Sequence, residues 1–154
     1  MPDLPPNPRP RPFRTLLAEH QARDYDELDD GRGMVRLWHL GHRIGVFESS
    51  GSLHESHAAF IIQYHARHIE AYARPWYTFG NWMTLKAYTP DVRRLLTDWQ
   101  ASQRYDGIYV AHDSRLLAMS IGMANSVLDN SVKVVPNEEA LDDILIEVRK
   151  QTGT

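Results

Sequence analysis

The chain has 154 residues and a formal net charge of -3, with 42% hydrophobic and 24% charged residues, which suits one globular domain. This charge gives no basic footprint for nucleic acid or anionic membranes. The sequence contains no cysteine, which excludes disulfides, thiolate nucleophiles and Cys-ligated metal centres.

The sequence also indicates where the protein works. No segment approaches the roughly 18 to 20 consecutive apolar residues that a membrane span requires. The first residues are rich in Pro and Arg, whereas a signal peptide needs an apolar core there. We therefore expect a soluble, cytoplasmic protein with no nucleic-acid partner and no membrane span.

The first 33 residues differ in composition from the rest and are predicted to form a flexible tail. Residues 1–12 hold a Pro-Arg tract, which favours extended polyproline II conformation. Apolar residues over Phe13–Arg23 have helical spacing, which is compatible with a short helix that docks on the domain. Acids and glycines over Asp24–Gly33 indicate a linker. Solvated disorder and a docking peptide for a partner are the two alternatives for this tail.

A single α/β domain is predicted over residues 34–150, followed by a disordered tail at 151–154. The domain begins with two β-rich segments, Val35–Leu40 and Ile44–Phe47. The glycine-containing turn between them is typical of a β-hairpin.

A long helix is predicted to follow the hairpin. Apolar residues at steps of three, four and seven indicate an amphipathic helix over Leu53–Tyr72, with Ser52 as its N-cap. Pro75 prevents its continuation. The short aromatic segment Trp76–Phe79, bounded by Gly80, predicts a strand.

The next part of the chain predicts a loop, a helix and a strand. Residues 81–89 resist assignment to a helix or a strand, and residues 80–89 are expected to form a loop. Thr89 as N-cap, with Pro90 in the first turn, begins a helix whose apolar face runs over Val92–Trp99. The nearly continuous apolar segment Gly107–Ala111 is typical of a strand that is covered on both faces.

Three more elements are predicted before the C-terminus. Asp113–Ser114 caps a helix that is apolar nearly all round over Leu116–Val127. Val132–Val135 is the last strand. Asn137 begins the final helix, and the acids at Glu138–Glu139 suit the positive end of its dipole.

Helices of this length between strands join parallel pairs. The predicted fold is therefore an α/β unit with a mostly parallel sheet of four to five strands, opened by an antiparallel hairpin, and about four helices. Binding sites in such sheets gather at the carboxyl ends of the strands. The loops expected there are 49–52, 80–89, 112–114 and 136–138.

Three segments of the chain resemble the SpoIIAA-like family, also described as STAS/SEC14-type domains. They are Gly80–Ala87, Ile108–Ser114 and Val132–Ala140, and the similarity spans roughly residues 34–148. The resemblance implies a β-α superhelical fold. It also implies a non-catalytic role in regulation, partner binding or the binding of an apolar ligand.

One position differs from the family pattern. Anti-sigma-factor antagonists of the STAS type carry Asp-Ser-Ser or Asp-Ser-Thr where the third strand meets its helix, and the Ser is phosphorylated. This chain has Asn81, Trp82, Met83 and Thr84 there. Thr84 is the nearest hydroxyl, but the missing acid and the large indole of Trp82 disfavour a phosphoswitch. Trp82 is expected to pack the loop onto the core or to line a pocket.

The eight histidines are the other candidates for chemistry. His54-Glu55-Ser56-His57 has its second histidine one position too early for the His-Glu-x-x-His metalloprotease motif. His54 with His57, and His65 with His68, are i,i+3 pairs that could each offer two imidazoles to a metal. The pairs lie about 16 Å apart along a helix that rises ~1.5 Å per residue, so they cannot share an ion. A third ligand would have to come from His39, His42 or His112; otherwise these are ordinary surface and boundary histidines.

The function predicted from the sequence is binding without catalysis or a cofactor. Asp113 and Ser114 could bind phosphate, but helix capping accounts for them better, and no Gly-rich phosphate loop is present. The expected module is regulatory or a scaffold, and it binds a protein partner, a second copy of itself or an apolar small molecule. The alternative is a small histidine-based metal-binding protein or enzyme. Predicted binding residues are Asn81, Trp82, Thr84, Tyr88, Asp113 and Ser114, beside an aromatic surface of Trp76, Tyr77, Tyr88 and Trp99.

Overall fold

The structure is a computed structural model, and it describes residues 25–41, 43–68, 76–103, 105–115, 117–119, 121–122 and 132–153. The predicted Pro-Arg tract and the predicted helix over Phe13–Arg23 lie outside these residues.

Six strands form one mixed sheet, in which spatial order equals sequence order. The strands are β1 (Asp26–Asp29), β2 (Gly33–Leu40), β3 (Ile44–Leu53), β4 (Trp76–Tyr88), β5 (Tyr105–Ala111) and β6 (Val132–Val135). β1, β2 and β3 pair antiparallel, and β3 to β6 pair parallel. The predicted α/β class, hairpin and parallel sheet are confirmed. The sheet has one strand more than expected, because residues 26–29 of the predicted linker form β1.

Four helical segments lie among the described residues. They are α1 (Glu55–His68), α2 (Pro90–Ala101), α3 (helical at residues 115, 117–119 and 121–122) and α4 (Glu138–Thr152). α4 ends at Gly153, whose φ of 69° is left-handed and therefore suits glycine. Gln151 and Thr152 thus belong to α4, and the predicted disordered tail is wrong for these two residues.

Three predicted helix caps are confirmed. Thr89 Oγ1 accepts a hydrogen bond from the Val92 N–H at 3.2 Å. Asn137 Oδ1 accepts one from the Ala140 N–H at 2.8 Å. The Leu117 N–H donates to Ser114 Oγ at 3.4 Å. Side-chain caps of this kind satisfy backbone donors that no helical carbonyl can reach.

The start of α1 differs from its prediction. β3 continues through Leu53, so Ser52 lies in the strand and does not cap the helix. The His54 carbonyl accepts the first helical hydrogen bond, from the Ala58 N–H at 3.3 Å. His54 therefore occupies the position just before the first residue of α1.

The helices cover the two faces of the sheet unequally. The first core packs α1, α2 and α3 against one face through residues such as Ile61, Leu96 and Ile121. The second core packs α4 against the other face through Leu141 and Leu145. The helices that follow β3, β4 and β5 therefore share one face of the sheet, and of the described helices only α4 lies on the other face. None of the helices among the described residues is long and apolar enough to cross a membrane.

Candidate ligand-binding cleft

A cleft opens on the first-core face of the sheet, between the sheet and helices α2 and α3. We call it the α2 cleft. It is lined by Phe47, Trp82, Tyr88, Arg93, Leu96, Thr97, Gln100, Ile108, Val110, Ile121 and Val132. The space between these atoms, including the open mouth, is about 450 Å³, and the centre of a water-sized sphere can move through about 40 Å³ of it. One water molecule needs about 10–15 Å³ of this smaller volume, so the enclosed part of the cleft has room for roughly three water molecules and a larger ligand would extend into the open mouth.

Trp82 lies beside a bulge in β4 and faces the first core by the ordinary alternation of the strand, since its neighbour Met83 packs against the second core. Glu48 pairs with Asn81 and Ser50 pairs with Thr84, so two residues of β4 stand opposite the single residue Ser49. An extra residue of this kind bends the strand and changes the direction of its side chains. The predicted loop at 80–89 is therefore wrong for residues 80–88, which continue the strand.

Two polar side chains hold the bulge. Asn81 Oδ1 accepts a hydrogen bond from the Met83 N–H at 3.2 Å. Thr84 Oγ1 donates to the Ser49 carbonyl oxygen at 3.1 Å. These bonds satisfy backbone groups near the irregular pairing, so Asn81 and Thr84 support Trp82 without lining the cleft.

Aromatic rings form one wall of the α2 cleft. The Trp82 ring meets Phe47 at 5.8 Å and Tyr88 at 5.6 Å between ring centroids, both in T-shaped geometry. Such edge-to-face contacts are favourable beyond the apolar area they bury. Phe47 lies over Gly80, where a Cβ would come within 2.5 Å of Phe47 Cζ. The absence of a side chain at Gly80 therefore leaves room for this wall.

The indole N–H of Trp82 has no hydrogen-bond partner among the described residues and is buried. A buried donor without a partner costs free energy. Trp82 is therefore held by the packing of its ring.

Helix α2 supplies the opposite wall. Arg93, Thr97 and Gln100 follow one another at steps of four and three, which places them on one side of the helix. Leu96 lies between them and is nine-tenths buried. Arg93 is the charged residue of the described lining, and it is not among the binding residues predicted from the sequence. The signal in the sequence is the i,i+4,i+7 spacing of the polar residues Arg93, Thr97 and Gln100, which places them along one side of α2 beside its apolar residues.

The six predicted binding residues do not form one site. Trp82 and Tyr88 line the α2 cleft, and Asn81 and Thr84 hold the bulge. Ser114 caps α3, as the capping interpretation predicts. Asp113 is exposed and does not line the cleft.

The predicted aromatic surface is also divided. Trp76 and Trp99 pack on His65, with ring centroids at 5.2 and 5.1 Å. Tyr77 lies on the other face of the sheet, against the second core. Only Tyr88 of the four borders the α2 cleft, so the prediction of one aromatic surface is wrong.

Two histidines of α1 are buried, whereas their pattern in the sequence predicts surface and boundary positions. His57 is completely buried and His65 is 1% exposed. The Nδ1–H of His65 donates to the Ile61 carbonyl at 2.8 Å, and burial lowers the pKa of His65 to about 4. His65 is therefore neutral at pH 7. Among the described residues, no three His, Asp or Glu side chains are placed to hold a metal ion.

Comparison with models of known protein families finds no match to this chain, and comparison with curated proteins finds no significant match. The resemblance to the SpoIIAA-like family stays a prediction. The geometry of the α2 cleft is what supports a function.

Proposed function

We propose that this protein is a non-catalytic binding module that takes the apolar part of a small molecule into the α2 cleft. The observation that carries the proposal is the concave apolar lining between α2 and the sheet, with Trp82 and Tyr88 at its aromatic wall. Ligand pockets are concave and mostly apolar, with a few polar groups that orient the ligand.

The size of the cleft limits the affinity. Burying roughly 150 Å² of apolar ligand surface contributes about 4 kcal/mol, and the lost freedom of the ligand offsets part of this. We therefore expect dissociation constants in the millimolar range, weaker than about 1 mM, for a probe that places one phenyl ring in the cleft.

A small molecule fits the surface better than a protein partner does. Among the described residues, the exposed large hydrophobic side chains are Met119 and Val134. They belong to α3 and β6 and do not form an extended apolar patch of the kind that marks protein interfaces. The apolar lining of the cleft, by contrast, is concave.

The proposal is tested with 4-phenylbutan-1-ol as the probe. At ten times its dissociation constant a ligand stabilises the folded state by about 1.4 kcal/mol, which raises the melting temperature by about 4 °C. Leu96→Trp fills the cleft, so we expect it to abolish this shift and the heat of binding in calorimetry.

Leu95→Trp is the matched control. Leu95 packs against the same core but does not line the cleft, so this variant should still bind the probe. Absence of a shift in the unaltered protein, or an unchanged shift in Leu96→Trp, would contradict the proposal.

A further inference from the structure

A buried threonine of helix α2, Thr97, brings a hydroxyl group to the α2 cleft. Thr97 belongs to the lining and is only 8% exposed. A threonine inside a helix usually turns its hydroxyl to solvent or donates it to the carbonyl one turn earlier. Thr152 of α4 does the second, since its Oγ1 donates to the Val148 carbonyl at 2.9 Å. Thr97 Oγ1 does neither, because the residue is buried and no hydrogen bond engages this oxygen among the described residues.

The Thr97 hydroxyl is open to the space of the cleft. A second buried threonine, Thr78 of β4, shows the contrast: the surrounding atoms cover its Oγ1 completely and give it no hydrogen bond. Thr78 does not line the cleft. Thr97 Oγ1 also makes no hydrogen bond among the described residues, but it is not covered in this way. A molecule in the cleft can therefore bond to the Thr97 hydroxyl and cannot reach that of Thr78.

This hydroxyl favours a ligand with an oxygen atom over a purely apolar one. An apolar ligand displaces the water that solvates the hydroxyl without replacing its hydrogen bond, which lowers affinity. An oxygen at the same place accepts that bond from Thr97, while the apolar part of the ligand contacts the walls formed by residues such as Trp82 and Val110. Gln100 is half-buried on the same side of α2, and its amide is a further donor.

We infer that the ligand of the α2 cleft is a small apolar molecule with one oxygen acceptor, a hydroxyl or a carbonyl, which accepts a hydrogen bond from Thr97 Oγ1. This inference rests on the proposed function, because it assigns the ligand class and the polar contact of the same cleft. The hydroxyl of Thr97 carries it, and the charges around the cleft do not enter.

Benzyl alcohol and toluene test the inference, since they share a phenyl ring and differ by one hydroxyl. Thr97→Val replaces the side-chain hydroxyl by a methyl group of similar shape. We expect it to weaken the binding of benzyl alcohol about 3- to 10-fold in an NMR titration, as the loss of one neutral hydrogen bond allows. The affinity for toluene should stay within about twofold, because the apolar contacts persist.

Thr78→Val is the matched control. It makes the same chemical change at a hydroxyl that has no hydrogen-bond partner and lies outside the lining, so both affinities should stay within about twofold. Thr97→Ser keeps the hydroxyl, and it should keep the ratio of the two affinities that the unaltered protein shows.

The outcomes separate the two proposals. If 4-phenylbutan-1-ol, benzyl alcohol and toluene all fail to bind, the proposed function itself fails. If 4-phenylbutan-1-ol binds but benzyl alcohol does not, or Thr97→Val binds benzyl alcohol as the unaltered protein does, the inference is overturned while the proposed function stands. The inference is also overturned if Thr97→Val weakens both probes equally, since Thr97 then acts through packing, or if Thr78→Val causes the same loss.

Discussion

Asp142→Asn is expected to gain stability relative to the unaltered protein as the pH rises from about 4.5 to about 7.5. Asp142 lies in the second turn of α4, is completely buried, and has no hydrogen-bond partner among the described residues. Burial, with a smaller contribution from the charge of Asp143, raises the pKa of Asp142 from 3.8 to about 6.

The sign follows from proton binding. The folded state binds the proton of Asp142 more tightly than the unfolded state does, so folding is most favoured when the carboxyl is neutral. Stability is lost as the pH rises above the unfolded pKa, and the loss is complete above the folded pKa. It amounts to about 3 kcal/mol in total, of which about 2 kcal/mol falls between pH 4.5 and pH 7.5.

Asn cannot ionise, so this loss is absent from the variant. Urea unfolding gives the free energy of unfolding of both proteins at the two pH values. The difference between the two proteins is then compared at pH 4.5 and pH 7.5, and the titration of His65 and other shared groups cancels in that difference. Glu147→Gln, at an exposed position of the same helix, should show no comparable change. A difference between Asp142→Asn and the unaltered protein that is the same at both pH values would show that Asp142 has an ordinary pKa.

His57→Ala should destabilise the fold by about 3–5 kcal/mol in urea unfolding. The His54 N–H donates to His57 Nδ1 at 2.9 Å, and the Nε2–H donates to the Gly33 carbonyl at 3.0 Å. The ring thus joins the start of α1 to the start of β2. Its removal takes away the partner of the His54 N–H and one of the two donors to the Gly33 carbonyl, which also accepts from the Asp30 N–H at 3.1 Å, and it creates a cavity.

Gln63→Ala is the control for His57, because Gln63 is exposed on the same helix. We expect it to change stability by less than about 0.5 kcal/mol. A loss in His57→Ala as small as that of the control would mean that water replaces both hydrogen bonds and that the ring is not a structural link.

Local signals in the sequence predicted the hairpin, the parallel strands and three helix caps. These features depend on residues close together in the chain, such as Thr89 with Pro90 or Asn137 with the acids that follow it. The edge strand β1 was missed because its residues read as a linker. Its charges suit an edge, where Glu27 pairs with Arg36 at 2.9 Å across the strands.

The β4 bulge explains why residues 81–88 could not be assigned. Strand recognition depends on side chains that alternate between two faces, and the extra residue opposite Ser49 shifts this alternation. Trp82 and Leu85 therefore both belong to the first core, although an odd number of positions separates them. A bulge is defined by the pairing of two strands, here β4 with β3. The sequence of β4 alone does not contain this pairing.

The α2 cleft was predicted only in part, for a related reason. Trp82 was identified as a residue that could line a pocket, and Tyr88 as a binding residue. The remaining lining comes from β3, α2, β5, α3 and β6, and depends on how helices separated along the chain pack on the sheet. Likewise, His57 and His65 bond to backbone carbonyls, which no side-chain pattern reveals.

The central claim, that the α2 cleft takes up an apolar small molecule, is tested most directly by the four tryptophan indole N–H signals in an ¹H–¹⁵N spectrum. Trp82→Phe identifies the Trp82 signal, and 4-phenylbutan-1-ol is then titrated into the unaltered protein. We predict that the Trp82 signal shifts progressively to saturation, while that of Trp38, buried in the second core on the other face, stays in place. A stationary Trp82 signal with a bound probe, or a shift centred on Trp38, would contradict the account.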